Sequence, residues 1–195
     1  MTSEIRSVIE RAYPSRKLFE RDEKVIRTSF IQSDEVWQKM LSEVRDRVDF
    51  EVYECPWLSE TEFSSSRDFW MSNSRALHTE HSRVDNPTFS KLLSSKGLTL
   101  TTLHLQLSLL APLHTSFWTQ IRPGTEFAEH VRLDEAPDEK WARAESAAFE
   151  ILRKSGFRVL STEELFERVD WIDPGESFAA AEGLTVYTCL FREVG

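Results

Sequence analysis

Between residues 102 and 109 leucine alternates with polar side chains: Leu103, Leu105, Leu107 and Leu109 against His104, Gln106 and Ser108. Successive side chains of an extended strand point to opposite faces, so this period of two marks a strand with one face on an apolar layer. Leu98 and Leu100 are out of phase with the run, which predicts a bulge or turn near Thr101 and Thr102. Pro112 interrupts the pattern, residues 115–121 resume it, Pro123 and Gly124 turn the chain, and residues 127–133 alternate again. Three such segments joined by short breaks predict an antiparallel meander.

Helical spacing surrounds this block. Ile5, Val8, Ile9 and Ala12 recur at three and four residues behind Ser3, a predicted N-cap, until Pro14. A short strand is expected over 25–31. Ser33 should cap a second helix, with Val36, Trp37, Met40, Leu41 and Val44 as its apolar stripe and Asp34 and Glu35 in the first turn, where the helix dipole favours acids. Val48, Phe50 and Val52 alternate with polar neighbours as a strand does. Residues 55–86 show no firm period and read as loop, with one helix around 67–80. Asn86 as N-cap, Pro87 and Gly97 bracket a helix containing Phe89, Leu92 and Leu93.

Pro137 opens the strongest helical pattern, through Trp141, Ala144, Ala148, Ile151 and Leu152 to Gly156. Residues 157–160 read as a strand. Ser161 and Glu164 form a capping box for a further helix through Leu165, Phe166 and Val169. Asp173, Pro174 and Gly175 read as a loop, and residues 184–191, rich in β-branched and aromatic side chains, as a closing strand. Strands that cluster and alternate irregularly with helices make the expected fold α+β, one domain over residues 1–195, with a mainly antiparallel sheet carrying packed helices.

Composition restricts function by exclusion. The 195 residues carry a net charge of -9, and the imbalance is local: residues 126–182 hold 15 acids against 7 bases, whereas residues 1–125 hold 17 against 16. A surface without a basic patch argues against nucleic acid as a partner. No apolar run approaches the roughly 20 residues that cross a bilayer, so no membrane association is expected. The first residues show no secretory pattern, and Cys55 and Cys189 form neither a zinc spacing nor a disulfide framework, which points to a cytoplasmic protein with reduced cysteines.

No nucleotide loop and no hydrolase motif occurs, and neither a cofactor nor an enzymatic activity is expected. His78 and His81, three apart and next to Glu80, are too few and too loosely spaced to imply a metal site. Two surfaces remain as candidates. In the first, the acidic C-terminal third docks on a basic protein partner. Glu163, Glu167 and Asp170 would line one face of the last helix with Asp173 beyond it, and Trp57, Phe69 and Trp70 would supply aromatic anchors. A bacterial immunity protein that neutralises a toxin is one concrete form of that expectation. In the second, His104, Arg122, His130 and Arg132 share the polar face of the meander, with Gln106, Ser108, Trp118 and Gln120 nearby according to register. That set suits an anion, or an acid/base site for a small molecule.

Overall fold

Five strands follow one another across the sheet in the order in which the chain makes them. In the computed structural model, which describes residues 1–22, 24–25, 33–54, 66–175 and 183–191, these are β1 (Glu51–Glu54), β2 (Ser66–Ser72), β3 (Leu100–Ser108), β4 (Leu113–Arg122) and β5 (Glu129–Leu133). All four pairings are antiparallel. A sixth strand, β6 (Arg158–Val159), runs parallel to the start of β4. With the helices packed on this mainly antiparallel sheet, the fold is α+β. The expected meander of three strands is the last part, β3 to β5, of one of five.

The leucine face of β3 lies against most of the helices. Leu103, Leu105 and Leu107, with Phe69, Met71 and Trp118 from adjoining strands, bury against α1 (Ser3–Ala12), α2 (Asp34–Arg45) and α5 (Glu139–Lys154). Each helix presents the stripe its spacing requires: Trp37, Met40, Leu41 and Val44 from α2, and Trp141, Ala144, Ala148, Ile151 and Leu152 from α5. Val36 falls off that stripe and is exposed. The α1 cap is Thr2 rather than Ser3, its hydroxyl accepting from the Ile5 amide. Ser33 occupies the α2 cap position without a side-chain bond.

The opposite face carries a second, smaller core. Leu100 and Ile121 meet Leu77 from α3 (Arg75–His81) and Phe89 and Leu93 from α4 (Asn86–Lys96). This explains the out-of-phase leucine. No bulge lies near Thr101, because pairing with β4 runs unbroken from Leu100 to Leu107, and Leu100 points to the face that α4 covers. The α4 cap is Asp85, one residue before the expected Asn86, and Gly97 ends the helix at φ 60°, a left-handed conformation.

Four expectations need correction. Residues 67–80 are not one helix but β2, a bend and α3, because β2 is buried on both faces: Phe69 and Met71 enter the main core while Asp68 accepts hydrogen bonds from Ser66 and Gln106. Residues 184–191 end in a helix, α7 (Val186–Phe191), not a strand. Its burial of Val186, Cys189 and Leu190 overrides the β-propensity of the segment, and hydroxyls of Tyr13, Ser108 and Ser66 donate to its last carbonyls. The capping box of Ser161 and Glu164 is present, but α6 (Thr162–Leu165) is a single turn, and Val169 donates instead to the Leu184 carbonyl. β1 begins at Glu51, later than the alternation implies, because Phe50 stacks on Trp141. Apart from Val25, the strand expected over 25–31 lies outside the described residues.

Candidate functional site

Register decides which polar side chains share a face. Tyr53, Trp70, His104 and Phe117 are directly paired across β1, β2, β3 and β4, and the next row towards α4 is Ser72, Thr102, Thr119 and Arg132. His130 sits opposite Ile121, one row further. His104, His130 and Arg132 of the second candidate set therefore lie on one face. Arg122 does not: like Trp118 and Gln120 it belongs to the face of Leu103, and its Nε donates to Gln120.

Helix α3 crosses this face and turns it into a cleft. The Ser74 hydroxyl caps the helix by accepting from the Leu77 amide at 3.2 Å, and Leu77 plugs into the smaller core. So anchored, Arg75, His78, Thr79 and Ser82, at i, i+3, i+4 and i+7, run along the cleft wall. The cavity measures about 1050 Å³. Tyr53, Trp70, His104 and Thr119 form its floor, His130 and Arg132 of β5 the far wall, which His81 at the end of α3 meets, and Arg83 the rim.

The floor is aromatic and its imidazoles are neutral. His104 stacks on Phe117 with ring centres 4.4 Å apart, while Trp70 meets His104 at 5.0 Å and His78 at 4.9 Å. Nε2 of His78 lies 2.7 Å from the Thr102 hydroxyl, and Nε2 of His104 lies 2.8 Å from that of Thr119. Burial pushes His104 down to about 3 and His78 to about 4, each helped by a neighbouring imidazole or, for His104, by Arg132. His81 is lowered by burial and by the adjacent His130, whose ring centre is 5.2 Å away. Neutral imidazoles offer one donor and one acceptor each.

Charge on the rim is one-sided. Arg75, Arg83 and Arg132 line the cleft, and none of their guanidinium groups forms an ion pair among the described residues, although the Arg75 backbone amide donates to the Glu51 carboxylate. Arg75 lies over the Tyr53 ring at 5.3 Å and Arg132 over Phe117 at 5.2 Å. The acid in the lining, Glu54, accepts at 2.9 Å from Arg67, which it shares with Asp34 at 3.1 Å. In a chain of charge -9, three guanidinium groups without ion pairs around one cavity form a local positive field. No three potential metal ligands converge among the described residues, His78 and His81 included.

The acidic set is distributed differently. Glu163 is exposed on α6, Glu167 accepts from the amino terminus, and Asp170 and Asp173 lie on the irregular chain that follows, so no helix face gathers them. Asp173 Oδ1 accepts from the Gly175 amide. Phe69 is fully buried against Trp37, Trp70 faces the cleft, and Trp57 lies outside the described residues. Absent from the candidate sets in the sequence were Tyr53, Arg75, His78, Thr79, Arg83 and Thr119. The signal for the α3 residues was their helical spacing, hidden while the start of the helix was misplaced.

No helix among the described residues is long and apolar enough to cross a membrane. No known family model, curated protein or solved structure matches the chain.

Proposed function

We propose that this chain binds a small anionic molecule in the cleft between α3 and the sheet. The observation that carries the proposal is the convergence of Arg75, Arg83 and Arg132, whose guanidinium groups form no ion pair among the described residues, on a cavity of ligand size with a neutral imidazole floor. Arginine holds carboxylates and phosphates through two parallel hydrogen bonds, and a guanidinium without an acid partner needs no ion pair broken before it does so. The neutral imidazoles fix orientation without adding charge, and the apolar rings exclude water from the bound anion.

The test is thermal unfolding with phosphate, sulfate, carboxylates and nucleotides. A ligand confined to the folded state stabilises it by about 2.7 kcal/mol at a hundredfold excess over its dissociation constant. At least one anion should raise the melting temperature of the native chain, and the double variant Arg75→Gln, Arg132→Gln should lose that rise while folding normally. A rise that survives the double variant would place the anion elsewhere.

A basic protein partner is the second reading, and the acid-rich stretch of residues 126–182 supports it. Its toxin-neutralising form would show as an association rate that falls when Glu163 and Asp170 are replaced by lysine, an effect strongest at low salt.

A further inference from the structure

We infer that the ligand of this cleft is a flat aromatic or heteroaromatic ring system bearing the anionic group, an inference that rests on the anion-binding proposal and narrows it to one chemical class. The row Tyr53, Trp70, His104 and Phe117 places one ring on each of four adjacent strands. Of these, Tyr53, Trp70 and His104 line the cavity, roughly 10 Å from end to end at a strand spacing of about 4.8 Å, and Phe117 backs His104. His78 on α3 closes over it, with its ring 4.9 Å from Trp70 and 5.9 Å from Tyr53. An aliphatic anion would leave most of this ring surface wet, whereas a planar ring would cover it and gain offset or edge-to-face contacts.

Hydrogen bonding selects the same class. His78 and His104 each have Nε2 engaged by a threonine hydroxyl and no second partner among the described residues, so Nδ1 of each is left to a ligand. Because threonine can donate or accept, each imidazole can take either tautomer and present Nδ1 as acceptor or donor. Ring nitrogens and ring carbonyls lie in the plane of a heteroaromatic system, where they can meet such groups while the ring stacks. The cations stand at the two ends of the row, Arg75 over Tyr53 and Arg132 over Phe117. A ring along the floor therefore carries its phosphate or carboxylate to one guanidinium or the other.

Isothermal titration calorimetry on the full chain with matched pairs separates this inference from the proposal beneath it. Adenosine 5′-monophosphate is compared with ribose 5-phosphate, and 2-naphthoate with cyclohexanecarboxylate, each pair sharing its anionic group. The aromatic member of at least one pair should bind about tenfold or more tightly than its partner, the scale of one stacking contact. Trp70→Leu should reduce that preference to less than about threefold, whereas Arg132→Gln should weaken both members alike. If Trp70→Leu does not fold by circular dichroism, Tyr53→Leu takes its place. Equal binding within both pairs would overturn the aromatic class and leave anion binding standing. Absence of binding by all four probes would overturn both.

Discussion

His104 shows how much a residue's role depends on its surroundings. A lone histidine on a strand is unremarkable, but stacked on Phe117, tied to Thr119 and desolvated, it stays neutral down to a pH of about 3. His78 and His114 are held to about 4 by burial. Because these values lie below the 6.5 of a free imidazole, the unfolded chain takes up protons that the folded chain refuses. Stability is therefore full above about pH 6.5 and is lost as pH falls towards 4. His114 alone should account for about 3 kcal/mol of that loss by pH 4. Its Nδ1 is buried without a partner among the described residues, so His114→Leu should remove most of that share. Urea unfolding at pH 7 and pH 4.5 checks this, and equal acid sensitivity in the variant would contradict it. Thr119→Val, which deprives His104 Nε2 of its partner, should cost about 1 to 3 kcal/mol.

Among the elements, α3 decides whether there is a cleft at all. It is a short helix held by the Ser74 cap, the plug of Leu77 and the bond of His78 to Thr102, so Ser74→Ala should cost about 1 kcal/mol and weaken ligand binding out of proportion to its distance from the anion. Gly97→Ala, forced into a left-handed conformation at the end of α4, should cost about 1 kcal/mol by denaturant titration and leave binding unchanged. Helices with one wet face were legible in the sequence: α1, α2 and α5 follow directly from their apolar spacing, as does β3, whose second face is polar although it is buried. β2 and α7 were not. In β2 the core face of Phe69 and Met71 also carries Arg67, and the polar face of Ser66, Asp68 and Ser72 also carries Trp70, so the alternation of hydropathy is broken on both faces. In α7 tertiary burial outweighs a local preference for strand. The site was legible as a set of side chains on one strand face, His104 with His130 and Arg132. Its other half was hidden because β2 and α3 had to be located before Trp70, Arg75 and His78 could be brought to the same place.

For the molecule as a whole, the sheet separates two tasks. The leucine face carries the larger core, where Leu103→Ala should cost about 2 to 5 kcal/mol. The other face is closed at one end by the smaller core of Leu77, Phe89, Leu93, Leu100 and Ile121, and beside it opens the cleft. The acidic exterior and the cationic rim then act together: anions are repelled in general and accepted at one place, which favours a ligand able to engage several guanidinium groups at once. The most direct test is a titration of the ¹⁵N-labelled chain with adenosine 5′-monophosphate, followed by amide chemical shifts. The shifts are expected to concentrate at Trp70, Arg75, His78, His104, Thr119 and Arg132. Shifts confined to Arg153 and Arg158 on the other side of the sheet, or no shifts at millimolar ligand, would contradict the assignment of the cleft as the functional site.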